Sequence, residues 1–488
     1  MVMVPFKHIV RNYGTVQQCV LPITIRDLYK RTANPPRTVK NVNGWIRSVR
    51  LLKKMAFLDI QDGSCLHTLK VAIPIKKMDE TAFLKGMKTG QSISIACAQW
   101  QDTPQREQPF ELKIEDPLES ISIRGTVTHD YPLQKKNHSL LFLRSLPTLK
   151  HRTTYLGSLM RFRSFAEQRL MNILQSDDFT KVSPPVLTSS DCEGAGELFE
   201  VKTASSKNYF GKPSYLTVST QLHLEILAMS LSRCYTLTPC FRAERSDTNR
   251  HLSEFWMLEL EMCFINDVRL LTMVVESVLR RLIESCCERS SELIPEITLQ
   301  ECLSKEEVLN RWNMLLNPEP WKVITYTEAI DILSDKHRMA PFEKYEPKWG
   351  EPLQTEHEKW LAGVHFQSPV FITDYPRDCK AFYMKTNTSA SPGRETVACF
   401  DLLFPEMGEI AGGSIREDNY NELAQEMRRR GMNSSGELDW YLSLRLEGSV
   451  PHGGFGLGME RLISYLFGNH NIRDAIAFHR SATGTIDL

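Results

Sequence analysis

Apolar and polar positions alternate in short runs from about residue 38 to residue 123, with turn-forming residues between the runs. A β-strand points successive side chains to opposite faces, so such runs predict short strands. The clearest of them are NGWIRSVR, MAFLDIQDGS, TLKVAI and QSISIACAQW. Several short strands this close together predict a small β-barrel in the first third of the chain.

A helical period replaces this pattern further along the chain. Between residues 154 and 176 the apolar positions recur three or four residues apart, at Leu159, Phe162, Ala166, Leu170 and Ile173. This spacing predicts an amphipathic helix over 154–176, followed by a strand at VSPPVLTSS. Residues 265 to about 340 are also helix-rich, and residues 124–150, with His, Pro and Lys, predict a linker.

The stretch FRAERSDTNRHLSEFWMLELE, residues 241–261, predicts two short strands joined by a polar loop. We expect Arg242 and Glu244, two residues apart in the first strand, to point to the same face. One face of the returning strand carries Phe255, Met257, Glu259 and Glu261, and the loop carries Arg245, Arg250 and His251. Arginines for phosphate, a flat ring for a base and acids for an amine suit a bound nucleotide. A surface hairpin of alternating charge is the alternative, and the spacing alone does not decide between them.

A glycine-rich turn near the C-terminus favours the nucleotide. In GSVPHGGFGLGMERL, residues 448–462, the glycines at 453, 454, 456 and 458 precede an apolar run that predicts a helix, with Glu460 and Arg461 in its first turn. Glycine lets the backbone approach a ligand closely, and an arginine at a helix start can meet phosphate oxygens.

Composition sets only broad limits. The 488 residues suggest two or three domains, the formal net charge is zero, and no apolar run approaches the length of a membrane span. A neutral chain binds nucleic acid only through a locally basic surface. The 12 cysteines form no pair at metal-ligand spacing, which predicts reduced thiols and no structural zinc.

The N-terminal segment is basic and poor in acids. Before Asp59 the only acidic residue is Asp27, against eleven lysines and arginines. Such a leader is typical of mitochondrial import segments, and the alternative is a disordered basic arm that contacts tRNA. We predict residues 1 to about 35 to lack regular structure and to form a mitochondrial targeting segment.

Several strings resemble a known family when they are taken together. They are CEGAGELF at 192–199, QLHLE at 221–225, EFWMLE at 254–259, TEHEKW at 355–360, FYMK at 382–385 and GEIAGGSIRE at 408–417. With the hairpin and the glycine-rich turn they resemble motifs of the class II aminoacyl-tRNA synthetases, in the aspartyl/asparaginyl/lysyl branch and closest to its asparaginyl members.

The resemblance implies an α+β protein with four segments. These are the leader at 1–35, an OB-fold anticodon-binding barrel at 36–123, the linker at 124–150 and a catalytic domain at 151–488. The catalytic domain is expected to hold an antiparallel sheet flanked by helices, with a helix-rich insertion at about 265–340. In this family the helix over 154–176 and the strand that contains Pro185 build a homodimer interface.

The implied activity is ATP-dependent attachment of asparagine to tRNA(Asn) through an asparaginyl-adenylate, in the mitochondrial matrix and away from membranes. Arg242 and Arg461 are the implied catalytic residues. The full implied ATP set is Arg242, Glu244, Arg250, His251, Phe255, Glu409 and Arg461. The implied Mg²⁺ ligands are Asp401, Glu409 and Ser414.

Asparagine selection and anticodon binding are also implied by the resemblance. The implied asparagine contacts are Glu193, Gln221, Glu225, Glu259 and Arg416. Glu225 is expected to accept from the carboxamide and repel a carboxylate, where the aspartate enzymes have lysine at the position of Leu224. The implied anticodon contacts are Arg47, Arg50, Phe57 and Lys70, of which Lys70 departs from the family's glutamine. Ser443, Leu446 and Glu447 are further departures, beside the expected pocket.

Overall fold

The chain divides into two compact units. The computed structural model describes residues 21–106, 108–189, 198–204, 208–245, 248–297, 299–388, 393–432 and 436–482. The two units are Met1–His138 and Ser139–Leu488.

Unit 1 is a small β-barrel, as the alternating runs predicted. Its strands are β1 (Thr38–Leu51), β2 (Met55–Gln61), β3 (Leu69–Pro74), β4 (Ser92–Asp102), β5 (Phe110–Lys113) and β6 (Ile121–Gly125). Its helices are α1 (Ile25–Lys30), α2 (Met78–Lys85) and α3 (Pro117–Ser120). The strand order is β1-β2-β3-β5-β4-β6, and β1 also pairs with β4, which closes five strands into a barrel. Strand residues such as Val42, Leu58 and Val71 point inward and form its core.

Helix α1 corrects one prediction. Residues up to about 35 were expected to lack regular structure, but residues 25–30 form a helix with a capping box between Thr24 and Asp27. Ile25 and Leu28 are fully buried in the barrel core. The helix has only 6 residues, so its apolar positions show too little periodicity to reveal it.

Unit 2 contains an eight-stranded sheet that is antiparallel except at its two edges. The strands of the unit are β7 (Thr180–Lys181), β8 (Leu187–Thr188), β9 (Tyr215–Leu216), β10 (Arg233–Phe241), β11 (Glu254–Cys263), β12 (Lys322–Thr325), β13 (Val370–Thr373), β14 (Cys399–Phe404), β15 (Gly408–Ile415) and β16 (His452–Gly458). The order is β12-β13-β14-β15-β16-β11-β10-β7, and β8 and β9 form a separate ribbon. The predicted fold class is therefore confirmed, with parallel pairing only at the two edges.

Helices surround this sheet. They are α4 (Leu140–Arg144), α5 (Thr154–Ser176), α6 (Gln221–Leu231), α7 (Val268–Glu288), α8 (Ser290–Leu293), α9 (Lys305–Leu315), α10 (Tyr326–Met339), α11 (Thr355–Trp360), α12 (Tyr420–Arg429), α13 (Asp439–Ser443) and α14 (Met459–Phe467). The predicted helix over 154–176 is confirmed as α5, and all five of its predicted apolar positions are buried. Among the described residues, no helix has both the length and the apolar content of a membrane span.

Candidate active site

Two adjoining cavities lie beside the central strands of the large sheet. The larger has a volume of about 440 Å³ and the smaller about 150 Å³. Arg242, Met257, Glu409 and Gly456 line both of them. The cavities therefore meet at a wall that contains one cation and one acid, a layout that suits a ligand with two unlike ends.

Arg242 lies just past the end of β10. Its backbone N–H donates to the Ser253 carbonyl at 3.0 Å, while regular strand pairing ends at Phe241. The prediction that Arg242 and Glu244 lie within the first strand is therefore wrong, because the chain has already left the ladder for the polar loop. Both residues line the smaller cavity.

A stacked cation and ring form part of the smaller cavity. The Arg242 guanidinium carbon lies 5.4 Å from the centre of the Phe255 ring. A cation over an aromatic face is attracted by the ring's electron density, so this contact restricts the arginine. Phe255 also lines the cavity, where its flat ring is available to a flat ligand.

Three more basic side chains line the smaller cavity, namely Arg250, His251 and Arg461. Burial lowers the pKa of Arg250 and of His251, and the nearby Arg461 charge lowers both further. With Arg242, three guanidiniums therefore line one small cavity, while the His251 ring is shifted towards its neutral form. Such a site favours an anionic ligand, and phosphate oxygens suit guanidinium donors.

The first turn of α14 positions Arg461 through its neighbour Glu460. The buried Glu460 carboxylate accepts from Arg163 Nη1 of α5 at 2.6 Å and from the Trp256 backbone N–H at 3.0 Å. These contacts fix the start of the helix against α5 and β11. Arg461 Nη1 then donates to the carbonyl and the carboxylate of Glu409, at 3.1 and 3.2 Å.

Two predicted metal ligands converge over a glycine. A methyl group at Gly412 would lie 3.2 Å from an Asp401 oxygen and 3.3 Å from a Glu409 oxygen. Burial favours a raised pKa for Glu409, but the charges of Arg461, Lys380 and Arg242 lower it below its ordinary value. Burial raises the pKa of Asp401, which Lys380 offsets only in part. Two carboxylates that both approach this glycine offer the hard oxygen ligands that Mg²⁺ prefers.

Lys380 was not predicted and competes for one of these acids. Its ammonium donates to both carboxylate oxygens of Asp401, at 2.7 and 2.6 Å. Ser414, the third predicted metal ligand, does not fit. Its fully buried hydroxyl accepts from Arg416 Nη1 at 2.7 Å, and it lines neither cavity.

Gln221 and Glu259 line the larger cavity, as the asparagine prediction requires. Glu259 accepts from the Ser219 hydroxyl and from the Thr220 backbone N–H, the latter at 3.0 Å. These bonds hold the chain at the start of α6. The Gln221 side-chain amide donates to Glu225 at 3.1 Å. Because a carboxylate can only accept, this bond leaves the Gln221 carbonyl oxygen available to a donor.

Arg416 also lines the larger cavity and forms a bidentate ion pair with Glu261. The Nε–Oε1 distance is 3.1 Å and the Nη2–Oε2 distance is 2.9 Å. Burial raises the pKa of Glu261, and the Arg416 charge opposes that rise. The sequence predicted that Glu261 lies on the same strand face as Glu259 but assigned it no role. Its ion pair with Arg416 could not be predicted from the spacing.

Glu225 is placed differently from its prediction. It is fully buried and does not line the larger cavity. Its carboxylate accepts from Tyr441 at 2.8 Å and from Arg445 at 3.0 Å, and it lies 3.0 Å from His452 Nε2. Burial favours a raised pKa, but the Arg445 charge and the His452 contact lower it. The predicted direct contact with the carboxamide is corrected, because the acid is enclosed behind Gln221.

Other predictions for this unit concern surface or undescribed residues. Glu193 lies outside the described residues. The departures Ser443, Leu446 and Glu447 are all exposed and line neither cavity. The Ser443 hydroxyl donates to the Asp439 carbonyl at 2.9 Å. These substitutions therefore leave the cavity walls unchanged.

The candidate anticodon residues lie on the barrel of unit 1. Arg50 pairs with Phe57 across β1 and β2, and its guanidinium lies 5.0 Å from the ring centre. Asp59 pairs with Lys70 on β3, two residues along from Phe57, so Phe57 and Lys70 share one face. Arg47 lies at the irregularity of β1 between Ile46 and Ser48. A half-buried ring beside cations is the surface on which single-stranded bases stack.

Comparison with known proteins agrees with this geometry. Residues 143–482 match the family described as tRNA synthetases class II (D, K and N). The chain belongs to this family. The resemblance drawn from its motifs is therefore confirmed.

Relatives of this class II synthetase align along almost its whole length. The mitochondrial asparagine–tRNA ligase of Saccharomyces cerevisiae is 58% identical over 480 residues, covering 96% of this chain and 97% of the relative. The mitochondrial asparagine–tRNA ligase of Schizosaccharomyces pombe is 40% identical, covering 94% and 98%.

A solved structure is similar as well. The asparaginyl-tRNA synthetase of Pyrococcus horikoshii, complexed with asparaginyl-adenylate, superposes with a TM-score of 0.80 at 29% identity. It covers 96% of this class II synthetase and 99% of the solved chain.

Proposed function

We propose that this chain is an asparagine–tRNA ligase. An asparagine carboxylate oxygen attacks the α-phosphorus of ATP, and the bond to the bridging oxygen breaks, releasing pyrophosphate. The terminal hydroxyl of tRNA(Asn) then takes the asparaginyl group and AMP leaves. The position of Arg242 in the wall between the two cavities carries the proposal, because the reacting phosphate must lie between the amino acid and the nucleotide. The names of the relatives support the choice of asparagine.

Neither step requires a protein nucleophile, so catalysis comes from positioning and charge neutralisation. Arg242 contacts the α-phosphate and the substrate carboxylate. Phe255 stacks on the adenine and Arg461 covers its other face, while Glu244 lies near the adenine amino group. Arg250 and His251, beside Arg461 in the same cavity, hold the outer phosphates.

Glu409 and Asp401 would hold Mg²⁺, which neutralises phosphate charge when bound. Their oxygens approach the same glycine, which supports a shared ion. Asp401 would have to leave Lys380 to take part, since that ammonium now occupies both of its oxygens. Glu409 is therefore the principal ligand of the two.

Gln221 and Glu259 receive the substrate ammonium at the larger cavity, with Glu193 as a further acid. Arg416 donates to the side-chain carbonyl of asparagine. Its charge is already balanced by Glu261, and that of Arg445 by Glu225. A substrate side-chain carboxylate would gain little from either of these two paired cations, which favours the neutral carboxamide.

The barrel binds the anticodon of tRNA(Asn) through Phe57, Arg47, Arg50 and Lys70. Stacking on Phe57 is the main contribution, because every base has a face that stacks on a ring. The cation of Arg50 over the same ring holds the ring in place and offers charge to the backbone.

The proposal includes a homodimer. Around the β8–β9 ribbon, which follows the predicted interface helix, large apolar side chains are exposed at Leu187, Phe199, Tyr209 and Phe210. A second copy would cover them. Light scattering at micromolar concentration should give twice the mass of 56.1 kDa, and a single-chain mass would contradict the dimer.

The mitochondrion is the proposed location, and the matrix the proposed compartment. Two relatives are named mitochondrial, and the residues before α1 include basic but no acidic side chains. A removable leader would end before Ile25, because that residue belongs to the barrel core. Residues 1–23 fused to a fluorescent protein should reach mitochondria, whereas a fusion with Lys7 and Arg11 changed to glutamate should not. Diffuse signal from the unchanged fusion would overturn the location.

Amino-acid-dependent ATP–pyrophosphate exchange, with asparagine and aspartate side by side, tests the activity. Asparagine should support exchange and aspartate should not. Arg242→Ala should abolish exchange, while Arg233→Ala, an exposed arginine at the other end of β10, should not. Exchange that depends on aspartate, or that survives loss of Arg242, would refute the proposal.

A further inference from the structure

Helix α11 carries the string TEHEKW, to which neither the sequence nor the proposed function assigns a role. It lies against the edge of the smaller cavity, beside β14 and β15. Two of its side chains, Thr355 and Glu358, are three residues apart and therefore share one face of the helix. That face meets two residues of the proposed ATP site, namely the Arg250 side chain and the Glu409 backbone N–H.

Arg250 makes its side-chain contacts with this face. Its Nη1 donates to the Thr355 hydroxyl at 3.0 Å, and its Nη2 lies 3.7 Å from a carboxylate oxygen of Glu358. Only 10% of the arginine side chain and 15% of the glutamate side chain are exposed. The Arg250 Nε has no hydrogen-bond partner among the described residues, although it is buried. The guanidinium is thus held at both of its terminal nitrogens by one face of the helix.

Glu358 also contacts the start of β15, which carries Glu409 of the proposed ATP site. The same oxygen that faces Arg250 accepts from the Glu409 backbone N–H at 3.3 Å. Gly408, just before it, has a φ of +80°, and a methyl group there would lie 2.5 Å from Glu358 and 3.0 Å from Arg250 Nη2. Glycine therefore allows the arginine and the glutamate to meet over the start of β15.

An arginine in a loop has many rotamers, and ordering it costs binding energy each time a ligand arrives. Repulsion from Arg461 adds to that cost at this site. Thr355 and Glu358, which are held by a helix, provide an acceptor on each side of the guanidinium. They therefore exclude most other Arg250 rotamers before ATP binds.

We propose that Thr355 and Glu358 are positioning residues that hold the Arg250 guanidinium for the outer phosphates of ATP. The inference rests on the proposed function, since it assumes that ATP occupies the smaller cavity. Neither residue touches the reacting atoms in this assignment. Both act through Arg250, and α11 thereby ties the loop after β10 to the start of β15.

The test measures KM for ATP and kcat in asparagine-dependent pyrophosphate exchange. Thr355→Val keeps the side chain's shape but removes the acceptor, and Glu358→Asp keeps the charge but shortens its reach. We expect KM for ATP to rise about threefold and about tenfold respectively, with kcat within about twofold, since uniform binding is lost. Thr355→Ser should restore the wild-type KM, and the affinity for AMP, which lacks outer phosphates, should stay unchanged in all three.

Arg250→Ala supplies the decisive comparison. If the two residues act through Arg250, adding Thr355→Val or Glu358→Asp to Arg250→Ala should raise KM for ATP no further. Glu356→Gln is the matched control, because that acid faces away and accepts from the Tyr345 backbone N–H at 2.7 Å. An unchanged KM in the single variants, or full additivity with Arg250→Ala, would overturn the inference. Absence of exchange in the wild-type protein would instead refute the proposed function.

Discussion

Arg416 and Glu261 form a buried, bidentate ion pair at the floor of the larger cavity, with heavy-atom distances of 3.1 and 2.9 Å. Only 3% of the arginine side chain and none of the glutamate side chain are exposed. Arg416 therefore offers hydrogen-bond donors to the larger cavity, while its positive charge is balanced by Glu261. Under the proposed function, this pairing would favour a neutral carboxamide over a carboxylate without a direct repulsive contact.

Glu261→Gln tests that role. The change removes the negative charge and leaves the Arg416 charge unpaired. The enzyme should therefore use aspartate more efficiently, relative to asparagine, than the wild-type protein does. We expect the ratio of kcat/KM for asparagine over aspartate to fall at least about tenfold, with a lower Tm because a buried charge has lost its partner. Glu254→Gln, at the half-buried first position of the same strand and in the lining of neither cavity, should alter neither quantity. An unchanged ratio would show that selection lies elsewhere.

Gly408→Ala tests the close approach over the start of β15. The new methyl group would collide with Glu358 at 2.5 Å and with Arg250 at 3.0 Å, in addition to the strain of a φ of +80°. Gly350→Ala is a matched control, because its φ is +93° and nothing lies within 4 Å of its added methyl group. Both should lose stability by about 1 to 2 kcal/mol from backbone strain. Only Gly408→Ala should raise KM for ATP. Equal KM values in the two variants would show that the close approach of Arg250 and Glu358 over Gly408 does not affect ATP binding.

Phe57→Ala tests the barrel. If an anticodon base stacks on this ring, KM for tRNA in aminoacylation should rise about tenfold, in line with about 1 to 3 kcal/mol per stacked base. Pyrophosphate exchange without tRNA should not change, since the cavities lie in unit 2. Phe83→Leu removes another ring that packs on the barrel core and should leave KM for tRNA unaltered. A loss of exchange in Phe57→Ala would point to misfolding rather than to tRNA.

Local patterns predicted much of the fold. The period of α5 and the short runs of the barrel are set by which side chains face a core, and that information lies within a few residues. Helix α1 and the end of β10 were missed for the opposite reason. Helix α1 is stabilised by the burial of Ile25 in the barrel core, a contact with residues distant in sequence. The end of β10 at Phe241 is set by where its pairing with β11 stops.

The site was predictable where a motif carried it and not where distant segments meet. Arg242, Phe255 and Arg461 line the cavities as the motifs indicated. The enclosure of Glu225 depends on Tyr441, more than two hundred positions later, whose hydroxyl lies 2.8 Å from its carboxylate. The spacing within the string QLHLE therefore could not predict that Glu225 is enclosed.

The arginine string at the C-terminal end of α12, Arg428–Arg430, shows a similar difference between what its sequence predicts and what it contacts. It reads as a solvated helix end, and Arg428 and Arg429 are indeed exposed. Arg430, however, lines the larger cavity and, with Arg429, donates to the Glu426 carboxylate. A row of like charges in sequence is here organised around one buried acid.

That acid makes a prediction about pH. Burial favours a raised pKa for Glu426, but the hydrogen bonds from Arg429 and Arg430 lower it to about 2 from 4.5. A carboxylate with a lowered folded-state pKa stabilises the protein above pH 4.5, and that stability is lost as the pH falls towards 2. With only 8% of the side chain exposed, the contribution at pH 7 is about 2 to 3 kcal/mol.

Glu426→Gln should therefore lower Tm at pH 7 by about 3 to 5 °C. The difference from the wild-type protein should narrow as the pH falls from 4.5, because the wild-type carboxylate then takes up a proton and loses its advantage. Thermal unfolding between pH 7 and pH 3 measures both effects. Glu422→Gln, on the exposed first turn of α12, should match the wild-type Tm throughout. A Tm difference that stays constant across this range would mean that Glu426 stabilises the helix by packing rather than by its charge.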